Sequence, residues 1–171
     1  MNIEYIEQLL EEANRAIDNR AYKLAEKMLL NALYDEPAYA KVHNNLGWLY
    51  QYCLNEPKLA NLHLKYAVKF DPKCEAALYN LIDLYFDHDG YDELKVILTK
   101  YYNEPGINKY MVYEALGKIH EVKGEFSKAL SYYKKAMYIT LDNYEATSMK
   151  RNIKRCKYKK FKRLFKWQLQ N

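Results

Sequence analysis

The sequence predicts an all-α solenoid of about four antiparallel helix-pair repeats, followed by a C-terminal capping helix. Similar segments recur along the 171 residues, and Leu46, Leu81 and Leu116 mark equivalent positions spaced 35 residues apart. The stretches around them show the apolar periodicity of amphipathic helices. Only five Gly and four Pro punctuate the chain, which is few for a loop-rich or all-β protein. The repeat, the periodicity and the sparse punctuation together predict stacked helical hairpins.

Each repeat is predicted to contain two helices joined by a short turn. The repeats span about 6–39, 40–74, 75–109 and 110–143, with internal turns at 18–22, 53–58, 87–91 and 123–126. Gly90 and Gly124 lie in two of these turns, where a helix end favours a left-handed residue. Pro37, Pro72 and Pro105 follow the second helices, which should end there because proline lacks the amide proton.

The pattern resembles the tetratricopeptide repeat, which carries Leu-Gly and Tyr in its first helix and two small residues in its second. The matching residues are Leu46-Gly47 with Tyr50, Leu81 with Tyr85, Leu116-Gly117, and Ala25, Ala32, Ala60, Ala67, Ala129 and Ala136. The third repeat departs from this pattern, with Ile82 for Gly and Leu94 and Tyr101 for the small residues. The resemblance covers about 6–142 and implies a right-handed superhelix whose first helices line a concave surface.

The resemblance also implies that a ligand binds at the inward positions of the first helices. Seven acids and two lysines occupy these positions, and the acids are Glu7, Glu11, Asp18, Asp83, Asp87, Glu114 and Glu121. The predicted contacts in this acidic groove are Asn14, Asn44, Asn45, Trp48, Tyr52, Tyr79, Asn80, Asp83, Phe86, Glu114 and Lys118. Asn45 and Asn80 are equivalent in successive repeats, and each amide can donate to and accept from a peptide backbone. The alternative is that Asn is merely common at this position of the family.

These features predict a non-catalytic adaptor or assembly scaffold that binds a basic or neutral peptide. One subclass of the family binds a C-terminal carboxylate through three cations. The corresponding positions here are Leu10, Ala76 and Asn80, so we do not expect that binding mode. No metal site is expected, because the four histidines lie in separate helices or turns and none pairs with another His or Cys at metal-ligand spacing. No cofactor or enzymatic activity is expected, because the sequence contains no Gly-rich phosphate loop, GxSxG turn or HExxH helix. The acidic start, the lack of a long apolar run and three cysteines without a CxxC motif predict a cytoplasmic protein.

The C-terminal segment differs in charge from the rest of the chain. We expect a repeat domain at 1–149 and a basic capping helix or tail at 144–171. The net charge is +5, yet ten bases lie between Lys150 and Lys166, and no acid follows Glu145. Met149, Ile153 and Cys156 form a stripe suited to docking on the fourth repeat. The basic residues predicted to make contacts are Lys150, Arg151, Lys154, Arg155, Lys159, Lys160 and Arg163.

Several roles are open for this tail. The simplest is a solvated cap whose charge keeps the protein soluble. Tyr158, Phe161, Phe165 and Leu169 form a second apolar line among the lysines. Such a helix suits nucleic-acid phosphates, anionic lipid or an acidic protein surface, and nucleic-acid association is the alternative function. The opposite charges of tail and groove also allow self-association, or occupation of the groove by the tail.

Overall fold

A computed structural model describes residues 3–168, with side chains through Phe165. This range contains nine α-helices and no strand. The helices are α1 Ile3–Asp18, α2 Tyr22–Asp35, α3 Ala40–Tyr52, α4 Pro57–Phe70, α5 Glu75–Asp87, α6 Tyr91–Tyr101, α7 Lys109–Val122, α8 Phe126–Ile139 and α9 Asn143–Gln168. The predicted all-α architecture of helix-pair repeats with a C-terminal helix is confirmed. None of the described helices has the length and apolarity needed to cross a bilayer.

The chain divides into two units, Met1–Gly90 and Tyr91–Asn171. Unit 1 contains α1 to α5 and unit 2 contains α6 to α9. The division falls inside the third repeat as the sequence delimits it, between α5 and α6.

Unit 1 is built from two helical hairpins and one further helix. Helices α1 and α2 form the first hairpin, α3 and α4 form the second, and α5 packs against α3 and α4. Its core contains fully buried leucines such as Leu29, Leu46 and Leu78. Gly47 lets α3 approach α4 closely, because a Cβ at this position would lie 2.5 Å from Leu64 Cγ. A small residue therefore sets the separation of these two helices, as the repeat pattern predicts.

Unit 2 is a helical hairpin of α7 and α8, with α6 packed against α7 and α9 packed against α8. Gly117 of α7 touches α8, because a Cβ there would lie 2.5 Å from the ring of Tyr133. On α9, Met149 and Cys156 are fully buried and Ile153 packs partly buried against the same core. The structure thus confirms that the predicted apolar stripe docks α9 onto the last hairpin.

The turns confirm one glycine expectation and contradict the other. Gly124 has a φ of 71°, in the left-handed region as predicted. The expectation for Gly90 is wrong, because Asp89 takes the left-handed conformation there, with a φ of 54°. Gly90 is needed for space, since a Cβ would lie 2.5 Å from Cδ1 of Tyr85.

Candidate functional site

The first helices of unit 1 line a surface cleft. Helices α1, α3 and α5 contribute side chains to a depression of ≈ 400 Å³, which we call the Asn–Trp cleft. Its lining consists of Asn14, Ile17, Asp18, Asn44, Asn45, Trp48, Ala76 and Asn80. The four asparagines and Trp48 belong to the predicted contact set. The sequence does not single out Ile17 and Ala76 as contacts, because an apolar residue that lines a cleft follows the same helical pattern as one that packs.

The four asparagines form two hydrogen-bonded pairs that link neighbouring first helices. The Asn45 amide donates to Asn14 Oδ1 at 3.3 Å and joins α3 to α1. The Asn80 amide donates to Asn44 Oδ1 at 2.9 Å and joins α5 to α3. Within the described residues these amides make no other side-chain hydrogen bond, so each pair retains one NH2 group and one carbonyl oxygen without a side-chain partner. Asn80 is the least accessible of the four, with 8% of its surface exposed. Reversing both amides of a pair would leave that number of donors and acceptors unchanged.

An aromatic surface adjoins the asparagine pairs. Trp48 is 36% exposed, and its ring centroid lies 5.4 Å from that of Tyr52. The Tyr52 hydroxyl donates to the carboxylate of Asp83. Burial and this hydrogen bond raise the pKa of Tyr52, so its hydroxyl stays protonated and continues to donate. Tyr79 is 59% exposed on α5. The rings of Trp48 and Tyr52 are therefore held in place before any ligand arrives.

The acidity expected for this surface is partly compensated. Glu7 accepts a hydrogen bond from Lys41 Nζ at 2.8 Å, and this contact lowers the pKa of Glu7. By contrast, Asp18, Asp83 and Asp87 have no Lys or Arg partner among the residues that the structure describes. Asp18 lines the cleft directly, and Asp83 accepts a hydrogen bond from Tyr52, whose ring lies against that of Trp48 in the cleft lining. Negative charge thus remains at the cleft, although less than the sequence suggests.

The remaining predicted groove residues lie elsewhere. Phe86 is half-buried on α5. Glu114 and Lys118 belong to α7 of unit 2, where they form an ion pair with each other at 3.0 Å. The placement of Glu121 in the groove is wrong, because this residue is 5% exposed and lies beneath α9.

Glu121 is the anchor that fixes α9 electrostatically. Its carboxylate accepts hydrogen bonds from Nε and Nη2 of Arg155, both at 2.8 Å, and from Lys159 Nζ at 2.8 Å. The buried Tyr133 hydroxyl donates to it as well, at 2.7 Å. Burial alone would raise the pKa of Glu121, but the hydrogen bonds from Arg155, Lys159 and Tyr133 lower it to about 2. We call these four residues the Glu121 cluster.

The basic tail therefore has two kinds of cation. Arg155 and Lys159 are engaged in the Glu121 cluster. Arg163 donates from Nη1 to the carbonyl of Gly124 at 2.8 Å, and Lys160 is half-buried beside α8. The other predicted tail contacts are exposed and have no carboxylate partner in the described part of the chain, namely Lys150, Arg151 and Lys154.

The solvent face of α9 carries exposed rings next to these cations. Tyr158 is 65% exposed, Phe161 64% and Phe165 53%. The two phenylalanines stack on each other with centroids 6.0 Å apart. The fourth member of the predicted apolar line, Leu169, lies outside the described residues. This part of α9 therefore does not pack into the core of unit 2.

Two histidines that the sequence treats as isolated are in contact. Nδ1 of His43 lies 3.0 Å from Nδ1 of His63, and both side chains are buried. His43 Nε2 must donate to the Pro37 carbonyl at 2.9 Å, so in the neutral pair His63 donates through Nδ1. Burial lowers the pKa of His43, and burial together with His43 lowers the pKa of His63 to about 4. Within residues 3–168 no group of three or more His, Cys, Asp or Glu is placed to hold a metal ion.

Comparisons with known proteins identify the fold. The sequence matches no protein-family model and no curated protein. It is similar in structure to PilF of Pseudomonas aeruginosa, with a TM-score of 0.70 and 20% identity over 93% of this chain and 70% of that chain. It is also similar to YrrB, described as a TPR protein with an unusual peptide-binding site. The TM-score is 0.58 and the sequence identity 24%, over 81% of this chain and 71% of YrrB. A third similar structure is PilW, described as a widely conserved type IV pilus biogenesis factor. Its TM-score is 0.60 and its sequence identity 17%, over 95% of this chain and 78% of PilW. The chain thus has the fold of tetratricopeptide-repeat proteins.

Proposed function

We propose that this protein is a non-catalytic interaction module, an adaptor or assembly scaffold, that binds an extended basic or neutral peptide in the Asn–Trp cleft. The observation that carries the proposal is the pair of cross-helix asparagine contacts beside the exposed ring of Trp48. Both features lie on α1, α3 and α5, the first helices of successive sequence repeats.

The asparagine pairs suit recognition of a peptide backbone. Every non-proline residue of a ligand presents one N–H donor and one carbonyl acceptor. Each pair offers the complementary set, an NH2 group on Asn14 or Asn44 and a carbonyl oxygen on Asn45 or Asn80. Because the internal bond of each pair already fixes the amides, binding costs less side-chain entropy than it would for free asparagines. Such contacts read an extended chain without requiring a particular side-chain sequence.

Trp48 and the nearby carboxylates supply affinity and charge selection. Tryptophan and tyrosine are frequent interface hot spots, since a flat ring buries much area at little entropic cost. Asp18, Asp83 and Asp87 favour a ligand with Lys or Arg side chains and disfavour an acidic one. We therefore assign the role of anchor to Trp48 and the role of charge filter to the three aspartates.

The similar structures agree with an interaction role in general terms. YrrB is described as having a peptide-binding site, and PilW as a pilus biogenesis factor. We extend peptide binding to this chain as part of the proposal, on the geometry of its own cleft. We also propose a cytoplasmic location, because Cys53, Cys74 and Cys156 are all free thiols.

A displayed library of random decapeptides, selected on the full chain, tests the proposal. We expect the enriched peptides to be neutral or basic, with affinities that fall at least tenfold in the double variant W48A/N45A. The matched control is Y34A/N31A, which removes an exposed ring and an exposed amide from α2 in the same unit. The control should bind as the natural chain does.

A second readout uses Trp48 as a reporter. Replacing the other tryptophan, Trp167, by phenylalanine leaves Trp48 as the only tryptophan, and peptide binding should then change its emission. A failure to enrich any peptide, enrichment of acidic peptides, or equal affinity for the natural chain and W48A/N45A would each refute the assignment of the cleft.

A further inference from the structure

Unit 2 carries a second surface that is chemically unlike the Asn–Trp cleft. Two depressions, of ≈ 600 and ≈ 650 Å³, lie along the junction of α8 and α9 and share Ser127 and Lys160 in their linings. We call the two adjoining depressions together the α8–α9 groove. Its cationic lining consists of Lys128, Lys134, Lys135, Lys160 and Arg163.

The positive charge of the groove is largely uncompensated. Glu125 is the one carboxylate among the lining residues, and it already contacts Lys128 at 3.1 Å and His120 at 2.6 Å. Lys134, Lys135 and Lys160 have no carboxylate partner within the described residues. Cations therefore stand on both walls, from α8 on one side and from α9 on the other.

Hydroxyl groups and rings accompany these cations. Ser127, Ser131, Lys134 and Tyr138 follow one another at helical spacing along the exposed stripe of α8. Tyr138 is 89% exposed, so one face of its ring is open to a flat ligand group. Serine hydroxyls and lysines are frequent phosphate contacts, and exposed aromatic rings stack on unpaired bases.

We propose that the α8–α9 groove binds a single-stranded nucleic acid, with the phosphates on the lysines and a base on Tyr138. A flexible, chain-like polyanion fits because it can follow the depression and contact cations on both α8 and α9. A single strand is favoured over a duplex because its unpaired bases can stack on the exposed ring of Tyr138.

The site is independent of the proposed peptide-binding function, because all of its residues belong to unit 2. It also includes residues that sequence reasoning does not single out. The basic run of α9 stands out in the sequence, but Lys134 and Lys135 are separated from Lys160 by about 25 residues and meet it only after folding.

Fluorescence anisotropy with labelled oligothymidylate and oligouridylate of about 12 nucleotides tests the proposal on the full chain, freed of co-purified nucleic acid. The groove variant is K134Q/K135Q/K160Q. Its control is K27Q/K73Q/K95Q, which removes the same charge from exposed lysines outside the groove. In a plot of log affinity against log salt concentration, each phosphate contact contributes about −0.7 to the slope. Removing three lysines should therefore make the slope of the groove variant less steep by about 2. We expect its affinity near 0.1 M salt to fall roughly 10- to 100-fold, and that of the control to change much less.

A second comparison separates stacking from charge. Tyr138→Ala should weaken oligonucleotide binding about fivefold, whereas Tyr34→Ala, which removes an equally exposed ring from α2, should leave it unchanged. Circular dichroism checks that each variant remains folded. Absence of oligonucleotide binding, equal losses in groove and control variants, or a preference for duplex would overturn the proposal. Binding of phosphatidylserine vesicles instead of oligonucleotides would overturn it in favour of a membrane surface.

Discussion

Replacing Glu121 with glutamine removes the charge that fixes α9 to the rest of unit 2. Glutamine keeps the size of the side chain and one carbonyl oxygen, so Tyr133 or Arg155 can still donate to it. The other oxygen becomes an NH2 group that faces the donors of Arg155 and Lys159. The substitution therefore replaces charge-assisted contacts with a donor–donor conflict, without creating a cavity.

The pKa of Glu121 gives the magnitude. It falls from 4.5 to about 2, which corresponds to about 3 kcal/mol in favour of the ionised side chain. The side chains of Arg155 and Lys159 are 47% and 49% exposed, so both recover part of their hydration when the carboxylate is gone. We therefore expect the docking of α9 to weaken by about 2–3 kcal/mol. In the natural chain this contribution is complete above pH 4.5 and is lost as the pH falls from there towards 2.

Cys156 provides a local assay, because its thiol lies on the inner face of α9 and is fully buried against α8. With Cys53 and Cys74 replaced by serine, a thiol reagent reaches Cys156 only when α9 moves away. Glu121→Gln should raise the labelling rate at neutral pH roughly 30- to 150-fold, the factor that about 2–3 kcal/mol corresponds to. Lys150→Gln, an exposed charge change on the same helix, should leave the rate unchanged. An unaltered rate in Glu121→Gln would refute the reasoning that this carboxylate holds the helix.

Three further predictions concern stability. The pKa of His63 is lowered from 6.5 to about 4, so between these pH values the unfolded chain binds a proton that the folded chain does not. The free energy of unfolding of unit 1 should therefore fall by about 2–3 kcal/mol as the pH falls from 6.5 to 4. Urea unfolding at several pH values should show this loss, and His63→Gln should flatten it; a parallel pH dependence in the variant would contradict the burial argument. Gly47→Ala places a Cβ 2.5 Å from Leu64 Cγ and should cost about 1–3 kcal/mol by thermal or urea unfolding. Gly124→Ala forces an L-residue to a φ of 71° and should cost about 1 kcal/mol in the same assay, whereas an unchanged midpoint would show that the turn relaxes.

The helices and their pairing could be predicted from sequence because the relevant signals are local and repeated. The apolar period defines each helix, and a small residue such as Gly47 marks where two helices approach. Glycine positions are less certain, since a left-handed turn residue can be Asp89 when the neighbouring Gly90 is needed for space beside Tyr85. Here a packing requirement outweighs the intrinsic preference of glycine for positive φ.

Contacts between side chains of different helices are harder to predict from sequence than the helices themselves. His43 and His63 lie 20 residues apart and touch only after α3 packs on α4. Glu121 occupies an inward position by periodicity, yet α9 covers it, because the repeat pattern contains no information about the helix that follows the last repeat. The asparagine pairs could be predicted only in part from the sequence. The equivalence of Asn45 and Asn80 follows from the 35-residue spacing, but their partners depend on how adjacent hairpins stack.

The asparagine pairs impose a length scale on any ligand that uses both of them. Adjacent packed helices lie about 8–10 Å apart, and a polyproline II chain completes one turn of three residues in about 9 Å. A peptide in that conformation presents equivalent backbone groups to successive pairs at every third residue, all on the same side of its axis. A fully extended strand alternates sides with a period of two and falls out of phase. At that spacing we expect a ligand with a three-residue repeat to bind in several registers, each displaced by one turn.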